Sequence, residues 1–258
     1  MPPPMVELRG ISKSFDGGRT HAVRGVDLVI EQGEFVALVG GSGSGKTTTL
    51  KMINGLVAPD AGEVRVAGQA AGAVAPHLLR QRIGYVFQEI GLFPHLTVAE
   101  NIGITPKLMG GSKEAIGARV AELLDLVGLP RDFAARRPAA LSGGQRQRVG
   151  VARALAAKPG LMLMDEPFGA LDPVTRDALG RDYRALHESL GLTTLMVTHD
   201  ITEAVLLADR MVIMDSGAIR ADGTPAALLA APDAAVHALM ETPRRQAERV
   251  RERLEAGA

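Results

Sequence analysis

The segment EFVALVGGSGSGKTTTLKMI, residues 34–53, decides the fold of this chain. Residues 34–39 are largely apolar, as expected for a buried strand, and residues 40–47 match G-x-x-x-x-G-K-[ST] at every fixed position. Residues 47–53 then have the character of a first helical turn. A strand, a glycine-rich loop and a helix in this order predict a phosphate-binding loop. The alternative is a flexible glycine turn with an incidental lysine, which the intact flanks disfavour.

The residues of this loop are candidate nucleotide ligands. Backbone N–H groups of the glycines can surround phosphate oxygens, and Lys46 can reach the β- and γ-phosphates. Thr47 can offer its hydroxyl to Mg²⁺. The predicted nucleotide-binding residues of the loop are Gly40, Gly41, Ser42, Gly43, Ser44, Gly45, Lys46, Thr47 and Thr48.

A second candidate anion site is the segment Leu141, Ser142, Gly143, Gly144 and Gln145. Here Ser142 has the position of a helix N-cap and Gln145 that of the third helical residue, which together predict a capping box. The two glycines leave N–H groups uncovered at the positive end of the helix dipole. Taken alone, the segment fits an ordinary capped surface helix equally well. The independent phosphate loop favours the anion site.

Two carboxylates follow the apolar run 161–164. A buried strand that ends in Asp165 and Glu166 places both acids at the edge where open α/β sheets bind ligands. We expect Asp165 to hold Mg²⁺, directly or through water, and Glu166 to orient or deprotonate an attacking water. The alternative is an acidic pair that simply ends a strand before Pro167.

Two further polar residues also follow predicted strands. Gln88 comes after the run 83–87 and His199 after the run 193–198, so both can approach the same γ-phosphate. An amide can bind Mg²⁺ or water, and an imidazole can bond a phosphate oxygen. Either residue alone would more often be an ordinary loop residue. The remaining histidines are interpreted as structural or solvated.

Composition excludes several functions. The 258 residues include 29 basic and 29 acidic side chains, so no net charge steers the chain toward nucleic acid or anionic lipid. Aromatic residues make up 3% and cysteine is absent, which argues against single-strand stacking platforms, disulfides and zinc–thiolate sites. No apolar run approaches the roughly 18 residues of a membrane span. We therefore expect a soluble, cytoplasmic chain.

The order of patterns predicts an α/β fold with a mostly parallel core sheet. The first third is rich in short strands, which predicts an antiparallel β subdomain at the N-terminus. Residues of about 89–157 have helical periodicity and predict an α-helical subdomain, after which strands and helices alternate. Residues beyond Gly223 predict two short helical pieces. The charged segment 243–258 then predicts a solvated helical tail outside a domain of residues 1–242, with a docking element as the alternative.

These motifs resemble, in order and spacing, those of the nucleotide-binding subunit of ABC transporters. The resemblance extends from about Val6 to about Leu239 and implies a P-loop NTPase fold, with ATP and Mg²⁺ as ligands. It also implies a head-to-tail homodimer on ATP binding, in which the phosphate loop of one copy and residues 141–145 of the other enclose each ATP. The matching features are the phosphate loop, Gln88, residues 141–145, Asp165, Glu166, residues 169–172 and His199.

The same resemblance implies a role for each matching residue. Phe15 would stack on adenine, although the family frequently has tyrosine there, and Asp172 would lie at the dimer interface. The implied magnesium ligands are Thr47, Gln88 and Asp165, and the implied catalytic residues are Glu166, His199, Gln88 and Lys46.

Residues 46–54 and 83–95 resemble more narrowly the importer ATPases for osmoprotectants such as glycine betaine, choline or carnitine. That resemblance implies a multi-span membrane permease and an extracytoplasmic solute-binding protein as partners, and no nucleic acid. It places the chain peripherally, at the cytoplasmic face of the inner membrane. Many such subunits continue into paired CBS domains. These 258 residues do not include such a pair, so we expect no ionic-strength sensing of that kind from them.

Three alternatives remain open. The first is an importer ATPase for another solute, such as an amino acid. The others are ABC ATPases outside transport, acting on DNA or on ribosomes. Such chains usually have a long coiled-coil or zinc-bearing insertion, or a second cassette with a charged linker, and neither is present in this sequence.

Overall fold

The computed structural model describes residues 2–255, which form two sheets and the helices that flank them. In chain order, the strands are β1 (Val6–Ser14), β2 (His21–Ile30), β3 (Phe35–Val39), β4 (Ala61–Val66), β5 (Gln69–Ala70), β6 (Ile83–Val86), β7 (Leu161–Asp165), β8 (Thr193–Thr198), β9 (Arg210–Asp215) and β10 (Ala218–Gly223). The α-helices are α1 (Lys46–Ile53), α2 (Pro76–Gln81), α3 (Val98–Leu108), α4 (Lys113–Leu126), α5 (Gly143–Leu155), α6 (Pro173–Leu190), α7 (Ile201–Leu207), α8 (Pro225–Leu229) and α9 (Ala234–Glu255).

The six-stranded sheet has the order β10-β9-β3-β8-β7-β6. Strands β9, β3, β8, β7 and β6 are mutually parallel, and only the edge strand β10 is antiparallel. Carboxyl ends of parallel strands meet at one edge. The loop after β3, the acids at the end of β7 and the histidine after β8 therefore converge there.

Strand β3 lies between two hydrophobic cores. Its five residues are all buried, and they alternate between the two faces of the sheet, as the two-residue period of a strand requires. Val36 and Leu38 pack in the core that contains α1 and the four-stranded sheet. Phe35, Ala37 and Val39 pack in the core shared with α3 to α7 and α9. This double burial explains why the sequence of β3 is a continuous apolar run.

The N-terminal sheet is antiparallel, with the order β2-β1-β4-β5. Strands β1 and β2 are longer than the short alternating runs in their sequence. The register of their pairing shifts after Leu8, after Ile11 and after Lys13. Helix α1 packs between this sheet and the six-stranded sheet. The predicted fold class is thus confirmed, and helices α3 to α5 fall within the predicted helical segment.

The C-terminal region differs from the prediction. The second helical piece and the charged tail are one continuous helix, α9, in which Pro243 is an internal residue. Asp233 begins this helix, because its carboxylate accepts hydrogen bonds from the N–H groups of Ala235 and Val236. The division at residue 242 stays a prediction and is not the boundary of a helix. Residues 256–258 of the predicted tail lie outside the described residues.

Within residues 2–255, no helix combines the length and the apolar character that crossing a membrane requires.

Candidate functional site

The phosphate loop joins β3 to α1 in a conformation that requires glycine. Gly45 has a φ of 100°, and a Cβ there would collide with the carbonyl oxygen of Ala22. Lys46 follows as the first residue of α1, and its Nζ donates to the carbonyl oxygens of Gly40 and Gly41 at 2.8 Å each. The side chain is buried, and this burial lowers the pKa of Lys46. The loop thus places an ammonium group inside the glycine turn.

Thr47 and Asp165 meet although they belong to distant parts of the chain. The Thr47 hydroxyl donates to Asp165 Oδ1 at 2.9 Å. Asp165 is 6% exposed at the end of β7, and burial raises the pKa of its carboxyl group. Hydroxyl and carboxylate oxygens are ligands that suit Mg²⁺, so the pair fits that ion. No cluster of three or more His, Cys, Asp and Glu suited to a metal occurs in residues 2–255, so Mg²⁺ would also need phosphate or water oxygens.

Glu166 lies at the centre of the carboxyl edge. Its Oε2 accepts a hydrogen bond from Gln88 Nε2 at 3.1 Å, and its Oε1 lies 3.2 Å from His199 Nδ1. These three side chains come from the ends of β6, β7 and β8. The backbone of Glu166 has a φ of 45°, which is strained for a residue other than glycine, and its N–H donates to Val197 O. The sequence placed all three residues at one edge, and the structure brings them into contact.

The segment 141–145 begins α5 with the predicted capping box. The Ser142 hydroxyl accepts from the N–H of Gln145, and the Gln145 side-chain oxygen accepts from the N–H of Ser142, which confirms this local prediction. Ser142 is exposed and Leu141 is buried. Helix α5 packs in the core on the opposite face of the six-stranded sheet from α1. Among the described residues, the hydrogen bonds of Ser142 stay within the start of α5 and do not reach its own phosphate loop.

The two glycines of this segment have different surroundings. A Cβ at Gly144 would lie 2.7 Å from Thr175 Cγ2 of α6, which is closer than packed atoms allow. A Cβ at Gly143 would lie 3.6 Å from Leu171 Cδ2, an ordinary contact. Gly144 therefore permits close packing of α5 on α6, a requirement that the sequence did not reveal.

Asp172 caps a helix, and Phe15 lies at the surface. Asp172 begins α6, where its carboxylate accepts from the N–H of Thr175 at 3.0 Å. This hydrogen bond holds the pKa of Asp172 below its usual range. Phe15 is 68% exposed, and Lys13 Nζ lies 5.6 Å from the centre of its ring. An exposed aromatic face is available there for stacking.

Sequence reasoning missed Arg153 of α5. Its guanidinium donates to the carbonyl oxygens of Ile90 and Gly91, both at 2.6 Å, in the segment that follows Gln88. Ile90 has a φ of 52°. The sequence does contain a signal for this contact, because Arg153 is the one charged residue in the run 149–157. A half-buried arginine needs hydrogen-bond acceptors nearby, which predicts a contact with another segment.

Comparison with known proteins covers most of the chain. A family described as "ABC transporter" matches residues 23–169. The glycine betaine/carnitine/choline transport ATP-binding protein OpuCA of Bacillus subtilis (strain 168) is 49% identical over 228 residues, 88% of this chain and 60% of that protein. The glycine betaine uptake system ATP-binding protein YehX of Escherichia coli (strain K12) is 50% identical over 228 residues, 88% of this chain and 73% of YehX.

A relative with a different cargo in its name is similar to nearly the same degree. The sulfate/thiosulfate import ATP-binding protein CysA of Caulobacter vibrioides is 48% identical over 237 residues, 89% of this chain and 68% of that protein. The chain thus spans about 60 to 73% of the length of these three relatives.

A solved structure agrees with the same assignment. The ATP-binding cassette MJ0796, described as a dimer in a post-hydrolysis state bound to ADP and Pi, matches with a TM-score of 0.77 and 35% identity. The match covers 85% of this chain and 98% of MJ0796. Its motifs, its fold and its similarity to these relatives show that the chain belongs to the ABC transporter family.

Proposed function

We propose that this chain binds and hydrolyses ATP as the energising subunit of an importer for a small solute. The observation that carries the proposal is the contact of Glu166 with both Gln88 and His199, at the edge of the sheet that also bears Lys46. A carboxylate between an amide and an imidazole, beside a phosphate loop, suits hydrolysis of a phosphoanhydride.

Binding of the nucleotide rests on residues 40–48 and Phe15. The N–H groups of the loop and the ammonium of Lys46 hold the β- and γ-phosphates, and Phe15 stacks on the adenine. Lys46 exchanges its present carbonyl acceptors, Gly40 and Gly41, for phosphate oxygens. Because Lys46 is buried, its charge is weakly screened and each such bond gains strength.

Thr47, Asp165 and Gln88 would hold Mg²⁺. When bound, the ion neutralises charge on the β- and γ-phosphates. Thr47 and Asp165 already contact each other, and Gln88 approaches from the neighbouring strand.

Glu166 performs the proton chemistry of hydrolysis. Its carboxylate orients a water molecule and takes a proton from it as the water oxygen bonds to the γ-phosphorus and the bond to ADP breaks. His199 donates a hydrogen bond to a γ-phosphate oxygen, and Gln88 holds the water. The products are ADP and inorganic phosphate.

A second copy of the chain completes the site. Ser142 is exposed as the N-cap of α5 and makes no hydrogen bond to its own phosphate loop among the described residues, which supports a contact with a nucleotide held by another copy. Leu141 to Gln145 of one copy and the phosphate loop of the other enclose each ATP, with Asp172 at the interface. ATP then joins the two copies, and loss of the γ-phosphate loosens them.

The relatives support a proposal about the transport partners. We propose peripheral attachment to the cytoplasmic face of the inner membrane through a multi-span permease, with an extracytoplasmic solute-binding protein in the same system. Quaternary amines such as glycine betaine, choline or carnitine are the proposed cargo, because OpuCA and YehX are named for them. Import of another solute is the second candidate, favoured by the 48% identity with CysA.

Two measurements test the proposed ATP hydrolysis and the proposed cargo separately. Release of phosphate from Mg²⁺–ATP, measured on the purified chain and again with its permease present, tests hydrolysis. A wild-type chain that releases no phosphate in either assay would refute the proposed hydrolysis. Uptake by vesicles containing the chain, its permease and its binding protein tests the cargo. Uptake of sulfate without uptake of any quaternary amine would replace the proposed cargo and leave the ATPase assignment intact.

A further inference from the structure

Arg176, in the first turn of α6, joins two segments that carry proposed catalytic residues. Its Nη1 donates to Asp200 Oδ2 at 3.1 Å. Its Nη2 faces the carbonyl oxygens of Leu171 at 3.2 Å and Gly169 at 3.4 Å. One guanidinium therefore contacts the segment after β7 and the turn after β8.

The first of these segments leads back to Glu166. The N–H of Gly169 donates to the carbonyl oxygen of Glu166 at 3.2 Å, which forms a tight turn directly after the carboxylate. The strained φ of Glu166 depends on such external support. Arg176 fixes the far side of this turn through the carbonyl groups of Gly169 and Leu171.

The second segment leads to His199. Asp200 is the next residue, and its carboxylate accepts both from Arg176 and from the N–H of Glu203 at the start of α7. The N–H of Asp200 donates to Thr198 Oγ1 at 3.0 Å. Hydrogen bonds of both its side chain and its backbone thus hold Asp200 in place, and this constrains the adjacent residue His199.

We infer that Arg176 is a positioning residue for ATP hydrolysis, which holds Glu166 and His199 in register from behind their side chains. The contacts form a closed circuit from Glu166 through Gly169, Arg176, Asp200 and His199 back to the Glu166 carboxylate. The inference rests on the proposed hydrolysis at Glu166.

The circuit also gives Asp172 a route to the catalytic residues. Asp172 follows Leu171 directly, and its carbonyl oxygen accepts from the N–H of Arg176. A displacement of Asp172 by a second copy would therefore be transmitted to the turn that carries His199 through the side chain of Arg176. Cooperativity between the two ATP sites should then depend on Arg176.

The test compares Arg176→Ala and Arg176→Lys with Arg181→Ala. Arg181 lies on the same helix in an exposed pair with Asp177, a contact of small value. Steady-state hydrolysis and equilibrium ATP binding are measured for each chain. We expect Arg176→Ala to lower kcat by about tenfold or more and to bring the Hill coefficient toward about 1, with ATP affinity within about twofold of wild type. Lysine should restore part of kcat, because it keeps the charge but cannot reach both segments.

Different results overturn different statements. A kcat of Arg176→Ala within about twofold of wild type, or an equal loss in Arg181→Ala, would overturn the positioning role alone. A loss of ATP affinity as large as the loss of kcat would do the same, since it indicates general damage. An inactive wild-type chain would overturn the proposed hydrolysis as well. If Arg176→Ala does not fold, Arg176→Lys is judged by the same criteria.

Discussion

Glu166 Oε1 lies 3.2 Å from His199 Nδ1, although the two residues stand at the ends of different strands. They meet because β7 and β8 are adjacent, parallel and in register, with Asp165 opposite Val197. The N–H of Glu166 donates to Val197 O and so continues the pairing of the two strands up to Glu166. Glu166 therefore follows β7 at nearly the same level as His199 follows β8. The contact is therefore a property of strand register.

Glu166→Gln should keep ATP binding and lower turnover by about two to three orders of magnitude. Glutamine preserves the shape and the contact with Gln88 but cannot accept a proton from water. Phosphate release and nucleotide binding are measured together, and the variant should accumulate as an ATP-bound dimer in size-exclusion chromatography. Glu252→Gln, on the exposed part of α9, is the matched control. Near-normal turnover would remove Glu166 from its proposed role.

Ser142→Arg should abolish hydrolysis while the isolated chain still binds ATP. The added side chain and charge would meet the γ-phosphate site of a second copy, whereas the phosphate loop of the same chain stays intact. The variant also loses an N-cap of α5, at a cost of about 1 kcal/mol. Ser112→Arg removes the equivalent cap from α4 and serves as the control for that cost. Hydrolysis that survives in Ser142→Arg would contradict the shared site.

Gly144→Ala and Gly143→Ala should differ in stability. The new methyl group at residue 144 would press on Thr175 and move α5 away from α6, at a cost of about 1–3 kcal/mol. The methyl group at residue 143 has ordinary space, and we expect a change within about 0.5 kcal/mol. Urea unfolding of both variants measures the difference. Equal destabilisation would show that the packing of α5 on α6 does not depend on Gly144.

Glu203→Gln should stabilise the folded chain at neutral and alkaline pH. Glu203 is 9% exposed, and burial raises the pKa of its carboxyl group above the value in the unfolded chain. Ionisation therefore opposes folding once the pH exceeds the unfolded pKa, while below that pH both states are protonated. The Tm advantage of the variant should be present at about pH 8 and shrink toward about pH 4. An advantage of constant size across this range would contradict the titration of Glu203.

Short-range features of this fold are readable from the sequence. The phosphate loop, the capping box at Ser142 and Gln145, and the bounds of α6 each depend on residues within a few positions of one another. The alternation of apolar runs and helical periods also indicates a parallel sheet. The charge of residues 243–258 predicted a separate helical tail, whereas α9 begins before that segment and continues through Pro243.

Other features depend on which segments pack together. The hydrogen bond between Thr47 and Asp165, the contacts of Glu166 and the need for Gly144 each join residues far apart in the chain.

The sequence by itself determined which chemical groups stand at the ends of which elements, because local periodicity and capping operate over one or two turns. Only the tertiary structure decided which of those groups touch. Strand order and register, together with the packing of α5 on α6, set those distances, and no local pattern encodes them.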